Sequence, residues 1–318
     1  MEKNQKDHYV AETYLKWFCN SDGKLSVYSK KWLDHQYKSP AQICKEEQGS
    51  NNQYFQKERL LEEYLKKCEN RWNDSVRIFT SDPTSDKFKL DYLQSKKIIA
   101  DYIACLGFGT PAKNRARQEH LKAIVHRTFE MTVEMMYEQG MFPSPSENLK
   151  SLLPDIKNNI AVKIDPKYPQ AIGISALKEM SDRLFFCPWR RVENQTNIPF
   201  ITSDNPFCFW YVKNSEQPWI YVPITPKFAV LMRPFLDAKE AISYNHSLDD
   251  GTIAKPEFIG KMNDLIIGGA ERIVISNVKS DELLRDVNKL KDKKLVTEIL
   301  EVPMGNGEKI TMYKQVIK

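Results

Sequence analysis

The sequence predicts an α+β fold, with an N-terminal helical half packed on a small antiparallel sheet in the C-terminal half. Three observations carry that reading. Up to about residue 142, apolar residues recur at steps of three and four over long stretches. From about 143 onward the chain shifts to aromatic and β-branched runs, punctuated by Pro206, Pro218, Pro223 and Pro226. Between the halves, Pro143-Ser144-Pro145-Ser146 reads as a loop and a boundary, without a long linker.

The elements follow in chain order. Asp7 can cap a short helix from His8 to about Phe18, with Val10, Tyr14, Leu15 and Phe18 on its apolar side. Asn20 to Gly23 is a turn, and Leu25 to Tyr28 alternates as a strand. Residues 34–53 are polar and irregular, and Tyr54-Phe55 opens either a strand or the next helix. The clearest helix runs from about Lys57 to Phe79, placing Leu61, Leu65, Cys68, Trp72, Val76 and Phe79 on one face. A third spans about Leu90 to Leu106, before Gly107, Gly109 and Pro111 break the chain. A fourth runs from about Pro111 to Gln139, with a stripe of Leu121, Ile124, Val125, Phe129, Val133 and Met136.

In the second half, Ile160 to Val162 is strand-like and Ala171 to Phe185 helical. Strands are expected at Phe200 to Thr202, Phe207 to Val212, Trp219 to Val222 and Phe228 to Met232. Pro256 to Ala270 reads as a helix, Arg272 to Ser276 as a strand and Asp281 to Leu290 as a last helix. A hairpin turns around Gly305-Asn306-Gly307. One unit of residues 1–278 is expected, with 279–318 as an extension.

Composition narrows the function classes. With 41% hydrophobic and 28% charged residues, the chain should fold as a globule. Its net charge of +5 permits a nucleic-acid partner without arguing for one. The polar first seven residues do not read as a secretory signal, and no apolar run is long enough to cross a membrane, so a cytoplasmic protein is expected. The six cysteines form no Cys-x-x-Cys pair, and no P-loop or dinucleotide fingerprint is present.

Several polar groups carry chemistry. His8 suits general acid–base work at neutral pH, or anchors the first helix. Glu62 and Glu69 stand two helical turns apart, about 10 Å along the axis, on the same edge of the apolar stripe as Asn73. They flank a space for a metal such as Mg or Mn, or they pair with basic neighbours. In Ile201-Thr202-Ser203-Asp204-Asn205-Pro206, Asp204 is a metal ligand or general base with Asn205 orienting substrate, or the motif is a turn. The helix bearing Lys113, Arg115, Arg117 and His120 is either a nucleic-acid-binding surface or a solvated basic face. Its Arg-x4-His spacing occurs in some metal-independent ribonucleases, although Ala116 replaces the polar residue usual after the arginine.

His8-Tyr9-Val10 with Tyr14-Leu15 and Phe18 resembles the opening of a bacterial family of unknown function, number four-two-three-eight in the domain-of-unknown-function series. Further likenesses are Ser39-Pro40 with Cys44 and Tyr54, the Glu62/Glu69 pair, Thr110-Pro111 with Arg115, and Trp189 ahead of residues 202–206. Val222 to Pro226, Asn263 and the strand Ile273 to Ser276 complete them, over about residues 8–278. Ala11 replaces the usual proline, and Gly109 stands where the family often has arginine. The resemblance implies a candidate anti-phage gene, with a nucleic-acid target or a self-toxic activity. On that basis His8, Glu62, Glu69, Asp204 and Asn205 are expected to share one pocket of a nuclease-like effector. The alternative is a non-enzymatic sensor of a phage component, with the aromatic run at 207–221 as its contact surface.

Overall fold

A computed structural model describes residues 5–81, 86–141, 161–212, 218–233, 250–303 and 309–318. Its helices are α1 (Glu12–Leu15), α2 (Leu60–Thr80), α3 (Asp86–Gly109), α4 (Pro111–Glu138), α5 (Tyr168–Ser175), α6 (Leu177–Phe186), α7 (Pro256–Gly269) and α8 (Asp281–Leu290). The first strands are β1 (Lys6–His8), β2 (Leu25–Ser29), β3 (His35–Lys38), β4 (Lys45–Glu47), β5 (Trp189–Glu193) and β6 (Thr202–Ser203). The remainder are β7 (Cys208–Trp210), β8 (Trp219–Thr225), β9 (Phe228–Met232), β10 (Asp250–Ile253), β11 (Ile273–Ser276), β12 (Leu295–Pro303) and β13 (Lys309–Ile317). The fold is mixed α+β.

A five-stranded sheet, ordered β10-β5-β9-β8-β7, divides the apolar interior. Strand alternation sends Val222, Val230 and Met232 to one face and Tyr221 and Leu231 to the other. The first face packs on Trp72, Val76 and Phe79 of α2 and on Tyr102, Ile103 and Leu106 of α3. The second meets Ile259, Met262, Ile266 and Ile267 of α7. The stripe read from the sequence is therefore the buried face of α2: Leu61, Leu65, Cys68, Trp72, Val76 and Phe79 all lie at or below 5% exposure.

A four-stranded sheet, β3-β2-β11-β6, adds what periodicity did not show. β2 pairs antiparallel with β11, with Val27 opposite Ile275 and Ser29 opposite Ile273. Chain separation hides such a pairing from any local pattern.

Other departures have local causes. The first helix is short, because Asp7 does not cap it; β1 pairs with β4, and Asp7 turns to Arg59 and Ser50. β3 and β4 fall within 34–53, where polar composition suggested none. Tyr54-Phe55 lies in turns, not in a strand or helix. α3 runs through Gly107 and Gly109 and ends at Thr110; a Cβ on Gly107 would lie 3.4 Å from the Phe207 ring. The helix expected over 171–185 breaks at Ala176 into α5 and α6. Residues 161–162 are not in a strand. The boundary at 143–146, Ile160 and the turn at 305–307 lie outside the described residues.

The stripe assigned to α4 is corrected. Ala112, Lys113 and Ala116 are its buried residues, whereas Ile124 and Val125 are exposed. Only the N-terminal part of α4 meets the core, where Thr297 of β12 donates to the Ala116 carbonyl at 2.9 Å.

The β12–β13 hairpin is seated by close approach. A Cβ on Gly268 would lie 2.6 Å from Cγ2 of Ile317, so the glycine admits the last strand against α7. Gly268→Ala should cost about 1–3 kcal/mol through overpacking. Adding Ile317→Ala should recover part of that loss, measured by urea denaturation of both variants.

Candidate functional site

The predicted site residues fall into two groups by burial and by partners: His8, Glu62 and Glu69 are partly exposed, Asp204 and Asn205 fully buried. His8 Nε2 stands 3.8 Å from Glu12 Oε1, with side chains 22% and 35% exposed. Its Nε2 is buried and has no hydrogen-bond partner among the described residues. Burial lowers the His8 pKa and Lys45 adds to that, while Glu12 and the backbone at Ala41 and Pro40 oppose it. Glu69, half-buried on α2, is pushed the other way: burial raises its pKa and the charges of Glu12 and Glu62 raise it further. Glu62 is held low by hydrogen bonds from Arg59, and Lys66 lies 2.9 Å from it. Arg59 also reaches Asp7 at 2.6 Å, joining β1 to the start of α2.

Asp204 and Asn205 are fully buried. One Asp204 oxygen accepts from Glu271 N at 2.9 Å; the other accepts from Arg272 N at 2.7 Å and Ile273 N at 3.3 Å. The carboxylate thus satisfies the backbone donors that open β11. Burial nevertheless pushes its pKa up to about 6, with the three N–H groups pulling the other way. Asn205 accepts from Thr110 Oγ1 at 3.0 Å and donates to the Gly269 carbonyl at 2.8 Å. Burial raises the Tyr9 phenol and Cys44 thiol pKa values, and the charge of Asp204 adds to both.

These contacts belong to a wider set of buried ties. Tyr14 OH bonds Thr202 Oγ1 at 2.7 Å and donates to the Pro223 carbonyl at 2.8 Å. Tyr102 OH accepts from Ala11 N at 3.0 Å. Asn263 accepts from Ile201 N at 3.2 Å and donates to the Pro199 carbonyl at 3.0 Å. Motifs far apart in sequence meet as internal fastenings of the fold.

Among the described residues no three His, Cys, Asp or Glu side chains are placed to hold a metal ion. Glu62, Glu69 and Asp204, the predicted metal set, are accordingly not gathered around one point. Glu62 is engaged by Arg59 and Lys66, while Asp204 is turned to backbone.

The basic face of α4 is also corrected. Lys113 is 1% exposed, with its Nζ 4.4 Å and 4.5 Å from the Phe207 and Phe209 ring centroids. Arg115 is locked to Glu271 by two 2.8 Å bonds. Arg117 donates to Asn114 at 3.1 Å and to the Pro169 carbonyl at 2.9 Å. His120 packs on Tyr313, centroid to centroid 4.0 Å. These groups serve packing and pairing instead of presenting a charged surface.

Sequence reasoning missed Glu12, Arg59 and Lys30. Glu12 lies four residues after His8, a spacing that would have flagged it. Lys30 gave no signal: its amine is buried and donates to the carbonyls of Ile267 (3.0 Å), Ala270 (3.0 Å) and Lys293 (2.6 Å).

No helix among the described residues is long and apolar enough to cross a membrane, and all six cysteines are unpaired. A family model described as "Protein of unknown function (DUF4238)" matches residues 6–280. No curated protein and no solved structure matches the chain.

Proposed function

The chain belongs to the DUF4238 family, whose function is unknown, and from that premise we propose that it is a hydrolytic, nuclease-like effector of anti-phage defence. Its acid–base centre is His8 with Glu12 and Glu69. One observation carries this reading: Glu12 stands 3.8 Å from His8, and its charge acts on both His8 and Glu69, two groups that burial pushes in opposite directions. A neutral imidazole can take a proton from an attacking hydroxyl, and a carboxyl raised by burial is shifted toward giving one to a leaving oxygen. Glu12 stands beside the imidazole, 3.8 Å from its Nε2, where its charge favours the protonated ring. Nucleic acid as the substrate, and defence as the setting, rest on what the family resemblance implies.

Asp204 and Asn205 take no chemical part in this reading. They stabilise the strand and helix ends. The test is incubation of the purified protein with plasmid, single-stranded DNA, total RNA and transfer RNA, with and without Mg²⁺ or Mn²⁺. His8→Ala and Glu69→Gln should each lower cleavage by about 10²-fold or more with folding intact. Activity independent of metal would agree with the acid–base route; activity only with metal would count against it. If nothing is cut, and both variants protect cells as the parent does, the hydrolytic reading fails.

A second reading, a non-enzymatic sensor of a phage component, is favoured by the burial of Tyr14, Asp204 and Asn205. In it the polar motifs hold the fold, and recognition lies elsewhere on the surface.

A further inference from the structure

The second face of the five-stranded sheet opens, past the start of α7, into a cleft of about 420 Å³. Trp210 and Trp219 are a cross-strand pair on β7 and β8, and Phe258 faces them from α7. Trp210 lies 5.9 Å from both Trp219 and Phe258, edge to face in each case. All three rings are half-buried and line the opening. Cations stand beside them: Lys261 Nζ is 5.0 Å from the Trp210 ring, Arg190 is 5.9 Å from that of Trp219, and exposed Lys255 lines the rim. Glu257 is the one acid among the described lining residues. The Trp210 indole N–H is buried and has no acceptor among the described residues.

We propose that this cleft binds an aromatic base carrying a phosphate: a nucleotide unit, free or within a single strand. The volume falls in the ordinary range for small-ligand sites. Indole and phenyl rings supply stacking surface that every base can use. Lysine and arginine beside the rings attract the phosphate, and the opening turn of α7 adds donor polarity of the same sign. Two other clefts lack this combination. The one over β2, β3 and β11 carries a single aromatic, Trp32, and the one beside α8 is lined by Asp264, Glu282 and Asp286.

The proposal stands apart from the hydrolytic reading, since none of its residues belongs to the His8 centre. The experiment is titration calorimetry of the full chain with adenosine monophosphate, uridine monophosphate and short oligothymidylate and oligoadenylate, alongside tryptophan fluorescence. Binding and quenching by at least one of them are expected. Lys261→Glu should weaken it about fivefold or more, and Trp219→Ala about tenfold or more, while Trp219→Phe retains most of it. Mononucleotides binding as well as oligonucleotides identify a free nucleotide as the ligand; oligonucleotides binding alone identify a single strand. If Trp219→Ala does not fold, Lys261→Glu and Trp219→Phe carry the comparison. No binding of any of the four at millimolar concentration, or binding unmoved by Lys261→Glu, overturns the proposal.

Discussion

Asp204→Ala is expected to lose about 3–5 kcal/mol of folding stability, a large share of the roughly 5–15 kcal/mol of an ordinary domain. The substitution leaves the N–H groups of Glu271, Arg272 and Ile273 without the acceptor that the buried Asp204 carboxylate supplies. Asp204→Asn should lose less, since its amide retains one acceptor oxygen. The pH dependence separates charge from geometry. The folded-state pKa of Asp204 lies at about 6, above its ordinary 3.8. Its protonation therefore favours folding fully below 3.8, and that contribution is lost as pH rises through 6. The stability advantage of the parent over Asp204→Asn should grow as the pH is lowered from about 7 to about 4.5. Urea denaturation of both proteins across that range checks it, and a constant difference would refute the assignment.

Lys113→Met is expected to stabilise the protein at neutral pH. The Lys113 amine is enclosed by Phe207 and Phe209, and its hydrogen-bond partner is the neutral Gln315, 3.3 Å away. Burial lowers its pKa from 10.5 to about 7, with Arg117 lowering it slightly more and Cys208 opposing. Between those values the unfolded chain holds a proton that the folded chain has released, so stability rises with pH. The contribution is complete above 10.5 and lost as pH falls through 7. From about pH 7 to pH 9.5 the parent should gain about 3 kcal/mol relative to Lys113→Met. At pH 7 the variant should be the more stable by about 1–3 kcal/mol, as an apolar side chain of similar volume replaces a buried amine without a counter-ion. Guanidinium melts at both pH values measure the two effects together.

The legible part of this molecule was its local part. The faces of α2, α7 and α8 repeat every three to four residues, and burial follows that repeat. The alternation in β8 and β9 likewise records two covered faces. The α4 stripe misled because Ile124 and Val125 keep helical spacing but are exposed among the described residues, so periodicity alone gave them a core. Lys113, Arg115 and Arg117 misled for the opposite reason. A charge in a sequence carries no mark of a distant partner, and beside local ones at Asn114 and Glu119 these three reach Gln315, Glu271 and Pro169. At the site, residue type singled out His8, Glu62, Glu69, Asp204 and Asn205 but not which of them are fully buried. That division depends on backbone donors at Glu271 to Ile273, which no side-chain pattern announces.

The pairing of β2 with β11 has a consequence for how the protein is made. Residues 25–29 leave the ribosome early, yet their sheet neighbour is residues 273–276. Until that late segment is synthesised, β2 has β3 on one side and an open edge, with Leu25, Val27 and Tyr28 lacking their final cover. Such a strand is a template for the wrong partner. Closing so long a loop also slows the last step of assembly relative to the local pairing of α2 with α3. The helical layer can form during translation, whereas the β3-β2-β11-β6 sheet must wait for residues 273–276. The nascent protein therefore passes through a stage with an organised helical face and an unfinished sheet, the stage at which chaperones or neighbouring copies on the same message would meet it.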